Sequence, residues 1–239
     1  MYLAFLLTIV AYFVMVVITG KMRFKKLVDV SYTEYTRVKF RVKNIISKWV
    51  ALVVVLAMCW FASISLADIG FRAISFDYNI WLTIIVLVLC GAVFLLFLYQ
   101  AISPSHKKSE ADNLGNPNKS NYSKAMEAIK PRTRKEKIAA TGSAITAGIF
   151  EEILTRGFLF YLLQMQFPNL PIVAIVLITS VIFGVAHFYQ GIQGIIMTTV
   201  AGLLLGFLFM VTGSLVLPIF LHFFVNFSSV FDLKEEKVV

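Results

Sequence analysis

Seven apolar stretches run along the chain at 2–18, 49–67, 80–102, 138–165, 171–189, 192–212 and 215–231. Each is near the ~20 residues a helix needs to cross the hydrocarbon core of a bilayer. Between the third and the fourth, residues 103–124 are rich in Ser, Asn, Lys and Pro and show no apolar periodicity, which reads as a linker. The expected fold is therefore all-α, a polytopic transmembrane helical bundle of about seven spans. It divides into a three-span N-terminal region (1–102), a polar cytoplasmic linker (103–137), a four-span core (138–231) and a cytoplasmic tail (232–239).

Composition excludes the main alternatives. Hydrophobic residues are 59% of the 239 and charged residues 15%, against roughly 45–50% and about 25% in soluble domains, so a water-soluble globule is ruled out. The net charge of +9 could suggest nucleic acid, but such binders carry their cations as a patch on a soluble fold. Here Lys and Arg sort by membrane side, with nine in 19–48, nine in 103–137 and two in the tail, twenty of the 22 in all. By the positive-inside rule these segments are cytoplasmic. Seven crossings then put the N-terminus outside and the C-terminus inside, with Arg72 on the outer face. Positive charge follows the first span and does not precede it, so that span reads as an uncleaved anchor. Cys59 and Cys90 lie in apolar runs and form no disulfide or metal framework.

Three charges remain inside the spans: Glu151, Glu152 and Arg156. Ionisable groups in hydrocarbon are costly and mark functional sites by default. Glu152 and Arg156, four apart, share a helix face and can pair. Glu151 points about 100° away and has no partner on its own helix, which suits a proton-transfer group. Of the three histidines, His106 lies in the polar linker; His187 and His222 lie in spans. Phe183 shares a face with His187, and Asn226 shares one with His222. If the 138–165 helix overhangs into the cytoplasm by ~12 Å, Glu151 and both histidines can meet in the cytoplasmic half of the membrane.

Glu151-Glu152 with Arg156, Phe183 with His187, and His222 with Asn226 together resemble the E-E-x-x-x-R, F-x-x-x-H and H-x-x-x-N pattern of the CAAX protease and bacteriocin-processing family. These intramembrane proteases include the type II CAAX prenyl endopeptidases. The order of the motifs and their placement on separate spans agree, as do Gly157 after the arginine and Gly202 and Gly206 before the last motif. The resemblance covers 138–231. Thr155 departs from it, since many members carry an aromatic or other apolar residue before the arginine, a difference expected to bear on packing.

The resemblance implies that Glu151 and His187 activate water and that His222 and Asn226 donate to the oxyanion, with Glu152, Arg156 and Phe183 supporting them. No cofactor is favoured. Zinc is the alternative, held by Glu151, His187 and His222, but the spacing lacks the H-E-x-x-H geometry and metal-free glutamate chemistry is preferred. The expected partners are membrane lipid and a membrane-associated or lipidated peptide substrate, with no nucleic acid. A bacterial plasma membrane is the expected location, and peptide maturation or bacteriocin self-immunity the expected setting. The competing readings are a proton-coupled transporter, although no matching halves are found, and a non-catalytic immunity protein on the same fold.

Overall fold

The structure is a computed structural model and describes residues 1–29, 33–76, 78–102 and 130–231. Most of the expected linker, including His106, and the tail at 232–239 lie outside them. Among the described residues the chain is helical, with no strand. The helices are α1 (Tyr2–Asp29), α2 (Glu34–Phe61), α3 (Ile80–Ile102), α4 (Arg134–Glu152), a π-helical turn (Ile153–Leu159), α5 (Phe160–Gln166), α6 (Ile172–Ala186), α7 (Gly191–Thr212) and α8 (Val216–Phe231). From α4 through the π turn to α5 the axis is continuous, so the seven apolar stretches become seven helical rods.

Three described segments are long and apolar enough to cross a membrane: Tyr2–Gly20, Glu34–Phe61 and Phe188–Thr212. Ile80–Leu96, Ile172–Ala186 and Val216–Ser228 are apolar but shorter. The rod that begins with α4 carries the buried charges, which lower its apolarity although it is long. Leu3, Leu7, Val10, Val14 and Ile18 on α1, and Val53 and Trp60 on α2, project from the bundle. An exterior of this kind suits lipid and is foreign to a soluble monomer.

The helices at 2–29 and 34–61 run well beyond the apolar cores at 2–18 and 49–67. Charged residues there are good helix formers. α2 also starts on a cap, with Thr33 Oγ1 accepting from Thr36 N. A second cap starts α4: Thr133 Oγ1 accepts from Glu136 N at 3.3 Å, and the Glu136 carboxylate reaches back to the N–H of Arg132. That carboxylate, fully buried, also takes Arg37 Nε at 2.7 Å and clamps α2 to α4.

Close helix contacts rest on small residues, as expected where lipid supplies no hydrophobic drive between helices. A Cβ on Gly148 of α4 would stand 3.1 Å from Phe223 N and 3.2 Å from Ile219 O of α8. Gly157 stands beside Leu215 at the other end of the same contact, so α4 and α8 are antiparallel. On α7, Gly202 and Gly206 lie against Ser180 and Val176 of α6, and Gly184 of α6 lies against Thr199. α2 and α4 are parallel, because Arg37–Glu136 and Lys48–Glu151 bridge them in the same order along both. These directions are those of strictly alternating crossings.

At the end opposite the Arg37–Glu136 clamp, the 62–79 segment folds into the bundle and buries Ile69 completely. Leu215 N donates to Gly70 O and Arg72 Nε to Gly213 O, at 2.9 and 2.6 Å, fastening this segment to the α7–α8 turn. Gly213, at φ 62°, ends α7 in the left-handed conformation that glycine tolerates best. Within the segment the Ser65 hydroxyl and N–H both donate to Asp68 and hold its carboxyl below the usual carboxylate range.

Glu136→Ala removes a helix cap and strands a nearly buried guanidinium, for which the cost of breaking a buried pair is about 3–5 kcal/mol. The thermal midpoint of the detergent-solubilised protein is expected to fall sharply, whereas Lys135→Ala, which removes only an exposed partner of Glu34, is expected to leave it near wild type.

Candidate active site

The two adjacent glutamates have opposite surroundings. Glu152 is fully buried, and its Oε1 receives Arg156 NH1 at 2.9 Å and lies 2.6 Å from His222 Nδ1 of α8. Arg156, also fully buried, donates further from NH1 to Thr155 Oγ1 at 2.8 Å and from NH2 to Gly202 O of α7 at 3.0 Å. Its guanidinium lies 4.6 Å from the centre of the Phe183 ring of α6. One cation therefore links α4 to α6 and α7, and through Glu152 to α8. Arg156 sits in the π turn, a widened backbone that recurs at functional sites. Gly157 beside it admits the Ile69 carbonyl, which a Cβ would approach to 2.8 Å.

Glu151 faces the other way, into a cavity of about 200 Å³. The walls come from four helices: Tyr12, Phe13, Val16 and Thr19 of α1; Phe40, Asn44, Ser47 and Lys48 of α2; Glu151, Leu154 and Thr155 from α4 and the π turn; and Phe183, Ala186 and His187 at the end of α6. Lys48 Nζ stands 2.7 Å from Glu151 Oε1, while His222 Nε2 is 3.8 Å from Glu151 Oε2.

Hydrogen bonding assigns the proton on each imidazole. His187 Nδ1 lies 2.8 Å from the Phe183 carbonyl, an acceptor, so Nδ1 carries the proton and Nε2 of the neutral ring is left to accept one. His222 Nδ1 likewise donates to Glu152, so Nε2 donates only when the ring is the imidazolium. The Phe183 ring stands between the two histidines, 4.8 Å from His187 and 5.8 Å from His222, centre to centre.

Of the residues singled out from the sequence, Glu151, His187 and Phe183 line the cavity. His222 stands behind Glu151, in contact with both glutamates. Asn226 is half-buried on α8, one turn beyond His222 and outside the cavity wall. His187 is at the C-cap of α6 and not inside a span ending at 189, because the chain turns there into a short 3₁₀ segment, Phe188–Gln190. Glu152 pairs with Arg156, and also with His222. Thr155 does more than pack: its hydroxyl accepts from Arg156, donates to Glu151 O and borders the cavity.

Lys48 was missed. By sequence it is one of the cytoplasmic cations, one residue ahead of an apolar run, and the signal that points to it is Glu151, a carboxylate in an apolar run with no partner on its own helix. Among the described residues, no three His, Cys, Asp or Glu side chains are grouped to hold a metal ion.

Glu151 and His187 thus share one cavity, with the buried Glu152–Arg156 pair behind it. Residues 135–228 match the family described as Type II CAAX prenyl endopeptidase Rce1-like. The matched segment runs from the first turn of α4 into α8 and contains all three motifs; α1 to α3 lie outside it. No curated protein and no solved structure matches the chain. Family and apolar helices together make this an integral membrane protein.

Arg156→Gln and Glu152→Gln are each expected to lower the thermal midpoint strongly, since each strands a buried partner at a cost of about 3–5 kcal/mol. The double variant is expected to recover part of the loss, because the two sites are coupled. Single variants that melt like wild type would deny the pair its structural role.

Proposed function

We propose that the protein is an intramembrane endopeptidase that hydrolyses a peptide bond of a membrane-associated or lipidated peptide by Glu-activated and His-activated water. The observation that carries this reading is the cavity shared by Glu151 and His187, with the family match supplying the reaction class. Water placed between Glu151 and His187 Nε2 gives up a proton to one of them as its oxygen attacks the scissile carbonyl carbon. The proton then passes to the leaving amine, and the C–N bond breaks. Phe13, Val16, Phe40 and Leu154 give the cavity apolar walls suited to a lipid-bearing substrate.

His222 is the oxyanion donor in this scheme, acting as imidazolium from Nε2 while Glu152 holds Nδ1 and compensates its charge. Asn226, a turn away, is the second donor, reached by substrate that extends past Glu151. Thr155, Arg156 and Glu152 keep Glu151 and His222 in register.

Zinc fits these side chains poorly. The Glu151 carboxylate already holds an ammonium, and His222 presents one nitrogen to Glu152. The proposed chemistry is therefore metal-free.

Glu151→Gln preserves shape while removing proton acceptance, so cleavage of a prenylated-cysteine peptide by purified protein is expected to fall by about 10² to 10⁴, with melting near wild type. Wild-type activity is expected to survive a strong chelator. An active Glu151→Gln protein refutes the mechanism, and activity lost to the chelator and restored by zinc refutes its metal-free form.

The proposed orientation puts the N-terminus outside, the Arg37–Glu136 clamp at the cytoplasmic face and the 62–79 segment at the outer face. A membrane-impermeant maleimide applied to intact cells is expected to label Ala73→Cys and to spare Lys135→Cys; the reverse pattern inverts the topology.

A further inference from the structure

We propose that the segment between α2 and α3, residues 62–79, is an interfacial membrane anchor, whose apolar side chains seat at the boundary between lipid headgroups and acyl chains at the end of the bundle opposite the Arg37–Glu136 clamp. The proposal is independent of the chemistry assigned to Glu151. Connecting segments run over the surface of a fold. This one is apolar on its outer side, where Leu66, Phe71, Ile74 and Phe76 are 39–54% exposed.

The segment has two faces. On the inner one, Ile69 is fully buried, its carbonyl stands where a Cβ on Gly157 of the π turn would come within 2.8 Å, and Gly70 O takes the N–H of Leu215. This face is fastened to the π turn and to the α7–α8 turn. The outer face carries the four exposed apolar side chains. It is flanked by Trp60 in the last turn of α2 and Trp81 in the first turn of α3, which are 77% and 71% exposed. An apolar surface of this extent marks an interaction site. Its continuity with the lipid-facing exterior of α2 and α3 makes the bilayer its occupant, and aromatic side chains of this kind collect at the headgroup level.

The polar groups set the depth. Asp68 and Arg72 are exposed in the same segment, and charges in the hydrocarbon centre are costly, so the segment lies above the hydrocarbon. Its backbone is irregular yet provided for. The N–H groups of Ser63, Ile64, Ser65, Asp68, Gly70 and Phe71 all find acceptors within the segment or in the last turn of α2, and Ser75 N donates to Thr212 O. Irregular backbone at membrane depth is tolerated where its polar groups are satisfied within the protein. The boundary zone meets each requirement: apolar side chains leave water, charges keep it, and Arg72 with its neighbour Ala73 stays within reach of aqueous reagents.

The experiment measures depth by tryptophan quenching, in nanodiscs, on the full-length protein with Trp49, Trp60 and Trp81 replaced by Phe. A single tryptophan is then introduced by Phe71→Trp, by Phe76→Trp or, as a reference midway along the apolar part of α2, by Val53→Trp; all three positions are exposed. Phospholipids brominated close to the headgroup are expected to quench Phe71→Trp and Phe76→Trp more strongly than phospholipids brominated near the methyl end of the chain, with the order reversed at Val53→Trp. Quenching by dissolved iodide but by neither lipid makes the face aqueous. Protection from iodide and from both lipids makes it a protein interface, with a second copy or another partner. Stronger quenching from the deep bromines puts the segment in the hydrocarbon. Each of these three results overturns the proposal. A nitroxide on Leu66→Cys gives the depth without the tryptophan replacements, since the native Cys59 and Cys90 are buried. Its accessibility to a water-soluble relaxant is expected to fall between those of Val53→Cys and Lys135→Cys, and a value equal to either overturns the proposal as well.

Discussion

A guanidinium with no access to water must be satisfied inside the bundle, and the arrangement of the back half follows from how Arg156 meets that requirement. The cost of burying an isolated charge is large enough that partners must stand in place before the helices close. Arg156 takes one partner from its own helix, one from the adjacent threonine, one carbonyl from α7 and one aromatic face from α6. Gly202 is small enough to bring its helix to the guanidinium, where a Cβ would lie 3.2 Å from NH2. Among the described residues, Glu152 Oε2 and Arg156 Nε have no hydrogen-bond partner, although both are buried. A network left partly unsatisfied raises the penalty for any disturbance of the rest.

The same constraint separates two chemically identical neighbours. Consecutive positions on a helix point about 100° apart. Once Glu152 is turned into the network, Glu151 must face α1 and α2. One carboxylate becomes a structural anion with two hydrogen-bonded partners, the other a group at the edge of a cavity. Environment and not residue type divides their roles, the pattern by which enzymes obtain different behaviour from paired carboxylates. His222 touches both, with one nitrogen on each side, and so couples the buried network to the cavity.

The front half is part of the site. α1 and α2 supply about half of the described cavity wall, Lys48 included, and the Arg37–Glu136 clamp fixes α2 beside α4 about three turns along α2 from where Lys48 meets Glu151. The family match begins after these helices, so about half of the cavity wall comes from outside the matched segment.

What the sequence by itself determined is what depends on local spacing: seven apolar segments, the asymmetric placement of positive charge, the Glu152–Arg156 pair four residues apart, and three motifs in family order. Hydropathy marks only the lipid-buried length of a helix, so the extensions of α1 to Asp29 and α2 back to Glu34 were not legible in it. Nor was the end of α6 at Ala186, which a backbone turn imposes within an apolar run. The tertiary structure alone decided which glutamate faces the cavity, that Asn226 stays out of its wall, that Thr155 serves the arginine, and that Lys48 is the partner of Glu151. Those two residues are 103 positions apart. Their meeting depends on the rotation and axial register of one helix against another, which arise from packing the whole bundle and leave no periodic trace in either helix alone.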